Sequence, residues 1–181
     1  IRRIEMLKQI GLTIVSVGNL LLPQLGMAQE PADLNDLQIA HVAYVADNID
    51  IRYAHLAMAL SANEEVRNFA NTMINDHNSV NEQALKLLAE LNAKPEDNFL
   101  SRSLLEGAEE TIEKISRLRG HEFDLAYAEN ELAYHQAVVT LVRDSFIPNI
   151  EIERVRELFE AGLQIFEAHE EHAAQLVSSL R

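Results

Sequence analysis

The sequence predicts an all-α protein in which four long helices form a four-helix bundle, with one additional short helix between the second and third. Apolar residues recur every three or four positions over most of the chain, and no stretch shows the sustained alternation of a β-strand. The 181 residues include only 6 Gly and 4 Pro, which suits long helices with few breaks. These two observations predict the fold class.

The first two long helices have recognisable start signals. The first is predicted over residues 36–60, with Asp33 or Asn35 as its N-cap. The second follows the segment SANEEV, in which Ser61 or Asn63 can cap and two glutamates enter the first turn. It is expected to end near the segment NAKPEDN.

The second half of the chain predicts three more helices. Gly120 separates a short helix over residues 101–119 from the third long helix over 121–146, and the last helix covers 150–180 with Asn149 as its cap. A long helix of this kind spans about 40 Å. The short helix could return the chain along the bundle, which would make the second and third long helices parallel, as in ferritin-like bundles. A simple up-and-down bundle with a side helix is the alternative.

The first 28 residues have the pattern of an export signal. A basic start is followed by the apolar residues 10–22 and by the small residues of GMA, so cleavage is expected after Ala28. The apolar run is shorter than the roughly 20 residues that a membrane-spanning helix needs. We therefore expect a signal peptide over 1–28, a flexible leader over 29–35, the bundle domain over 36–181 and a periplasmic location. No transmembrane segment is expected after cleavage.

The net charge of the chain and the absence of common catalytic motifs exclude several classes of function. The formal net charge is −14, which repels nucleic acid and anionic lipid, so neither is an expected partner. The chain has no Cys, and it lacks both a Gly-rich phosphate loop and a Gly-x-Ser-x-Gly elbow. An enzyme is therefore less expected than a binding or interaction protein.

Several histidines lie on the apolar faces of the long helices. The rise per residue places His77, His135 and His169 within about 10 Å of one height, so they could meet near the middle of the bundle. Metal sites in helical bundles lie in the core and are built from side chains on facing helices. Imidazole is a suitable ligand for zinc, copper, iron and nickel. The candidate metal ligands are four histidines and two nearby acidic residues, namely His77, His135, His169, His172, Asp76 and Glu131.

Each candidate also has a purely structural interpretation. His77 could be hydrogen-bonded at the edge of the core, and Glu131 with His135 could be an ordinary i, i+4 pair. The acidic residues around His169 and His172 fit a solvated helix face. A di-iron centre is not expected, because it requires Glu-x-x-His steps and no Glu lies three positions before any of these histidines.

Three segments of the sequence carry a family resemblance. They read EEVRNFANTMINDHNSVNEQALKLLAELNAKPEDN, GHEFDLAYAENELAYHQAVV and FEAHEEHAAQL. They resemble exported bacterial proteins of the domain of unknown function 4142 family, from about residue 36 to 180. The resemblance implies a ferritin-like architecture, a periplasmic or outer-membrane-associated location and no settled activity. It draws attention to seven positions, which are Asp76, His77, Phe123, Asp124, Tyr127, His135 and His169.

Two functions are favoured at this point over a third, a redox enzyme with a dinuclear centre, against which the missing Glu-x-x-His steps argue. We expect a non-catalytic interaction or envelope-stress protein with an envelope protein as partner, in which the imidazoles are scattered and hydrogen-bonded and an apolar patch is exposed. The alternative is a transition-metal-binding protein, in which the imidazoles converge with Asp76 or Glu131 beside them. The oligomeric state is left open by the sequence.

Overall fold

The computed structural model describes residues 30–181, so the predicted signal peptide lies outside the described residues. Within this range all regular secondary structure is helical, which confirms the all-α prediction. The five α-helices are α1 (Asp36–Leu60), α2 (Glu64–Glu90), α3 (Phe99–Ile115), α4 (Gly120–Leu141) and α5 (Glu153–Leu180). No described helix is long and apolar enough to cross a membrane.

Asparagine side chains cap the first three helices. The Asn35 side chain accepts hydrogen bonds from the amides of Leu37 and Gln38 at 3.0 Å, and Asn63 and Asn98 act in the same way on α2 and α3. These oxygens satisfy backbone amides that the first helical turn leaves without a partner. Of the caps that the sequence offered, Asn35 and Asn63 are the ones used.

The boundaries of the later helices differ from the prediction. The helix α3 begins two residues early, at Phe99, and ends at Ile115 rather than at residue 119. The helix α4 ends at Leu141, where a π-helical turn, Val142–Phe146, replaces the predicted last α-helical turn. Asn149, the predicted cap of the last helix, lies instead in a short 3-10 helix.

The N-cap residue of α5, Ile152, has no side-chain cap, and a carboxylate from α1 holds the backbone just before the helix instead. The two carboxylate oxygens of Asp36 accept hydrogen bonds from the amides of Glu151 at 3.0 Å and Ile152 at 2.7 Å, immediately before α5. Asp36 is buried, and a negative charge is favourable at a helix N-terminus. The start of α5 is therefore fixed by a residue at the start of α1.

The four long helices surround one interior. The helix α1 packs against α2 and α4, and α5 packs against the same two helices, so α2 and α4 lie at opposite corners. The chain crosses between these corners through α3, which packs mainly on α1. Residues 30–35, predicted as part of a flexible leader, contain a 3-10 helix, and Leu34 is buried in the core.

The interior contains two clusters of buried apolar side chains. The first includes Met73 of α2 and Ala173 of α5, and the second includes Leu87 of α2 and Phe159 of α5. Between these positions, α2 carries the buried His77 and α5 carries the buried His169. The apolar core is therefore interrupted by polar side chains partway along the helices.

Replacing Asp36 with Ala is expected to destabilise the protein. The change leaves the amides of Glu151 and Ile152 without their acceptor, so the free energy of unfolding should fall by about 1–3 kcal/mol. Urea denaturation followed by circular dichroism measures this. Asp33→Ala is the matched control, because Asp33 accepts only from the Glu30 amide in an exposed turn, and its effect should stay below about 0.5 kcal/mol. Equal losses for both variants would contradict the role assigned to Asp36.

Candidate metal centre

Three histidines from three helices point toward one place in the interior. His77 of α2, His135 of α4 and His169 of α5 are all buried. One ring nitrogen from each lies within 4.8 Å of the other two. The ring centroids are 5.1, 5.3 and 5.7 Å apart. The structure thus brings together three of the four histidines singled out from the sequence.

Two carboxylates complete this group. Asp50 of α1 and Glu131 of α4 are both 0% exposed. Asp50 Oδ2 lies 3.4 Å from Nε2 of His77 and 3.4 Å from Nε2 of His135. One oxygen of Asp50, one of Glu131 and one nitrogen of His135 lie within 4.8 Å of one another. We call these five residues, Asp50, His77, Glu131, His135 and His169, the histidine–carboxylate cluster.

Each ring is held in place through its outer nitrogen. The contacts are His77 Nδ1 to Asp47 Oδ1 at 2.7 Å, His135 Nδ1 to the carbonyl oxygen of Glu131 at 2.9 Å, and His169 Nε2 to Asp76 Oδ2 at 3.0 Å. In each contact the partner is an oxygen acceptor, so the outer nitrogen carries the hydrogen and donates it. In metal sites, such contacts fix the tautomer and orientation of ligating histidines.

The inner atoms of the cluster have no hydrogen-bond partner. This holds for Nε2 of His77 and His135, for Nδ1 of His169, and for both oxygens of Asp50 and Glu131. A buried polar atom left without a partner costs about 1–3 kcal/mol, and such atoms are rare in folded proteins. A cation bound by either group of three ligand atoms would satisfy several of them at once.

The carboxylates control protonation in the metal-free cluster. Burial alone would lower the pKa of His77, but the charge of Asp50 and the hydrogen bond that His77 donates to Asp47 outweigh it and raise this pKa to about 10. Burial, and then the neighbouring Asp50, raise the pKa of Glu131 well above its ordinary value. Without a cation, protons on His77 and Glu131 therefore balance the buried negative charge.

The other two rings are neutral near pH 7. Burial lowers the pKa of His135. Burial also lowers the pKa of His169 to about 4, although its hydrogen bond to Asp76 acts in the opposite direction. A neutral imidazole whose outer nitrogen carries the hydrogen has a free lone pair on its inner nitrogen. Both rings can therefore act as ligands without losing a proton.

The remaining two candidates lie outside the cluster. His172 is exposed, and its ring packs edge-on against Phe69 at 4.9 Å, so the structure does not bring it together with the other three histidines. The helical rotation explains this, because the position four residues after His169 points inward and is occupied by the buried Ala173. The Asp76 side chain is 44% exposed and reaches only the outer nitrogen of His169.

The family resemblance also drew attention to three residues near the start of α4. Phe123 and Tyr127 are core side chains whose rings stack at 6.2 Å. Asp124 accepts a hydrogen bond from the hydroxyl of Ser61, which ties α4 to the end of α1. The Tyr127 hydroxyl is buried without a partner, and burial followed by the charge of Glu131 raises its pKa well above the ordinary value.

Sequence analysis missed Asp47 and Asp50, in the segment VADNIDIRY. The spacing of Asp50 was an indication of its burial, because it lies four residues after Ala46 and seven before Ala57, on a buried stripe of α1. A charged residue on an apolar stripe is a candidate for a functional site, since carboxylates are rarely buried without a partner.

These features define an all-helical protein with a buried cluster of three histidines and two carboxylates. The chain belongs to the family described as a domain of unknown function (DUF4142), whose model matches residues 22–176. The family resemblance seen in three sequence segments is thereby confirmed. Comparisons with curated proteins and with solved structures gave no match.

Opposite titration behaviour is expected for two histidines of the metal-free protein. At pH 7, His77 should be protonated and His169 neutral, given pKa values of about 10 and about 4. The stability that His77 contributes is complete below pH 6.5 and is lost as the pH rises through 10. The contribution of His169 is complete above pH 6.5 and is lost as the pH falls toward 4.

Imidazole ¹⁵N chemical shifts measured by NMR between pH 4 and pH 10 follow both rings directly. The variant Asp47→Asn removes one charge and keeps a side chain of the same size, so the pKa of His77 should fall. An unchanged titration of His77 in this variant would contradict the assigned cause.

Proposed function

We propose that this protein binds one transition-metal ion through the histidine–carboxylate cluster. The observation that supports the proposal most is the pairing of two features. The inner atoms of five buried side chains converge without hydrogen-bond partners, whereas the outer nitrogen of every ring is held by an oxygen. Ligating histidines in metal sites have this arrangement. The packing of an apolar core does not explain it.

We also propose that α1, α2, α4 and α5 form a ferritin-like four-helix bundle, with α3 in the crossover between α2 and α4. The placement of α2 and α4 at opposite corners supports this connectivity. Bundles of this kind build metal sites from side chains on facing helices, and here all four long helices supply a ligand. The proposed setting is the periplasm, which rests on the predicted export signal alone.

Distances within the cluster support a site for a small ion. Around a tetrahedral ion with bonds of 2.0–2.2 Å, neighbouring ligand atoms are roughly 3.3–3.6 Å apart. Asp50 Oδ2 is 3.4 Å from the inner nitrogens of His77 and His135. The Asp50 oxygen is therefore spaced from each of these nitrogens as neighbouring ligands of one ion are, and His169 and Glu131 lie in the same cluster.

The chemistry of the donors indicates which ions to test. Three imidazoles favour zinc, copper, iron or nickel over calcium and magnesium, which prefer oxygen ligands. When ionised, Asp50 and Glu131 carry two negative charges, which balance one divalent ion. A buried site of low dielectric favours such neutrality.

A role as a non-catalytic interaction or envelope-stress protein receives less support. That interpretation requires scattered imidazoles that are satisfied by hydrogen bonds, together with an exposed apolar patch. Among the described residues, the exposed large hydrophobic side chains are Leu85, Leu105 and Ile152, which belong to three different segments of the chain. The metal-binding interpretation accounts for the cluster, and the interaction interpretation does not.

Metal binding should depend on His169 and not on His172. Metal-free protein, equilibrated with Co²⁺ or Zn²⁺ by dialysis, should retain one ion per chain by elemental analysis. His169→Ala removes a ligand, so the affinity should fall by more than the 10–100-fold typical of losing an outer partner. His172→Ala, which changes the same residue type on the same helix, should leave the affinity unchanged.

The absorption spectrum of the Co²⁺-loaded protein provides a second readout, because its visible bands report the number and type of ligands. Circular dichroism checks that both variants retain the helical fold. Equal affinities for parent and His169→Ala, or equal losses in the two variants, would refute the proposed site.

A bound ion should also stabilise the fold, because it joins ligands from all four long helices. Binding at 100 times Kd stabilises the native state by about 2.7 kcal/mol. For a domain of this size, that corresponds to a rise in Tm of about 5–10 °C. Thermal unfolding with and without metal, and after EDTA, measures the effect. An ion that is retained in dialysis but leaves Tm unchanged would have to lie elsewhere on the protein.

A further inference from the structure

The histidine–carboxylate cluster contains two overlapping groups of metal-ligating atoms. The first group is formed by ring nitrogens of His77, His135 and His169, and we call it the three-histidine group. The second is formed by atoms of Asp50, Glu131 and His135, and we call it the carboxylate group. Among the described residues, the two groups have only His135 in common. The cluster therefore offers an ion two different sets of donors.

Glu131 is the carboxylate that distinguishes the two groups. Asp50 Oδ2 lies 3.4 Å from the inner nitrogens of both His77 and His135, so this oxygen can serve an ion in either group. Glu131 belongs to the carboxylate group alone, and it lies one turn before His135, about 6 Å along the axis of α4. An ion bound to Glu131 would have two carboxylates and one imidazole as ligands, whereas an ion bound to His77 and His169 would have three imidazoles.

A buried hydroxyl accompanies the carboxylate group. Tyr127 lies one turn before Glu131 on the same face of α4, and its hydroxyl is buried without a hydrogen-bond partner. Burial, followed by the charges of Glu131 and Asp50, raises the pKa of this hydroxyl well above its ordinary value, so it lies close enough to respond to both carboxylates. Carboxylates that bind a metal are themselves held by hydrogen bonds. Tyr127 is therefore placed to donate to Glu131 when that side chain is ionised.

The two sets of donors favour different ions. Imidazole suits zinc and copper, whereas carboxylates suit manganese, magnesium and calcium. The ring of His135 argues against magnesium and calcium, which take oxygen ligands. Manganese(II) binds sites of mixed nitrogen and oxygen donors, although more weakly than zinc does. Because the two carboxylates balance one divalent ion, we expect one position to be filled at a time.

We propose that manganese(II) binds to Asp50, Glu131 and His135, at a position that overlaps the three-histidine group and excludes an ion from it. This inference rests on the proposed metal-binding function. It adds that the cluster has two alternative positions, that zinc or copper occupies the three-histidine group, and that Tyr127 is a positioning residue for Glu131.

Two substitutions should change the metal preference in opposite directions. Burial raises the pKa of Glu131, so the metal-free protein carries a proton there and Glu131→Gln keeps a side chain of similar shape. This variant should lose at least tenfold more affinity for Mn²⁺ than for Zn²⁺. His169→Ala removes a ligand of the three-histidine group alone, so it should lose at least tenfold more affinity for Zn²⁺ than for Mn²⁺.

The electron paramagnetic resonance signal of free Mn²⁺ measures manganese binding, and competition with a chromophoric chelator measures zinc binding. Circular dichroism checks that each variant retains the helical fold. Equal losses of the two affinities in both variants would overturn the proposal.

A matched pair of hydroxyl deletions tests the part assigned to Tyr127. Tyr127→Phe should weaken Mn²⁺ binding by about tenfold, the lower end of the effect of losing an outer partner, and should leave Zn²⁺ binding unchanged. Tyr134→Phe is the control, because the Tyr134 hydroxyl donates to the carbonyl oxygen of Ala46 and not to the cluster. Equal effects of the two variants on Mn²⁺ binding would overturn the role of Tyr127.

The parent protein allows a measurement that needs no variant. Electron spin-echo envelope modulation of bound Mn²⁺ counts the coordinated imidazoles, and we expect one. Zn²⁺ should displace this Mn²⁺ one for one. Three coordinated imidazoles, or both ions bound together, would overturn the proposal. Retention of Zn²⁺ without Mn²⁺ would overturn it and leave the proposed function intact, whereas retention of neither ion would overturn both.

Discussion

The burial of carboxylates against imidazoles is the constraint on which this protein depends. Asp47, Asp50 and Glu131 are removed from water, and the Asp47–His77 contact of 2.7 Å is the shortest link between them and a ring. Moving a carboxylate into an apolar interior is costly unless a cation or a proton compensates for its charge. The cluster therefore needs either bound protons or a bound metal ion, and the fold must hold its side chains in place in both states.

The surrounding apolar residues supply that support. Two apolar clusters lie on either side of the polar residues along α2, α4 and α5, and burying each large side chain contributes about 1.5–3 kcal/mol. Phe166 stacks directly on His77, so one core side chain both fills space and fixes the plane of a ring. Apolar packing thus offsets the free-energy cost of burying the polar cluster, and it also sets the geometry of the cluster.

Local patterns in the sequence predicted the helices well. They did not predict contacts between residues that are distant in the sequence. The range 36–60 matches α1, because Asn35 caps it and SAN interrupts it within the segment itself. The predicted start of α5 was wrong, because the side chain that holds the backbone there, Asp36, is 115 residues away from Glu151 in sequence. The three converging histidines followed from helix rise alone. Helix rise predicts height and not the direction of a side chain around the axis, so it does not distinguish the buried His169 from the exposed His172. The histidines of α1, His41 and His55, lie outside the cluster, so they do not point to Asp50.

The composition of the cluster determines how many ions it can neutralise. A ferritin-like di-iron site has four carboxylates and two histidines, so its ligands carry charge for two metal ions. Here three histidines accompany two carboxylates, Asp50 and Glu131, which balance a single divalent ion. Glu131 precedes His135 by four residues rather than three, a spacing that still places both on the inner face of α4. A second divalent ion would bring two further positive charges without a second pair of ligating carboxylates, so the donor set favours one imidazole-preferring ion.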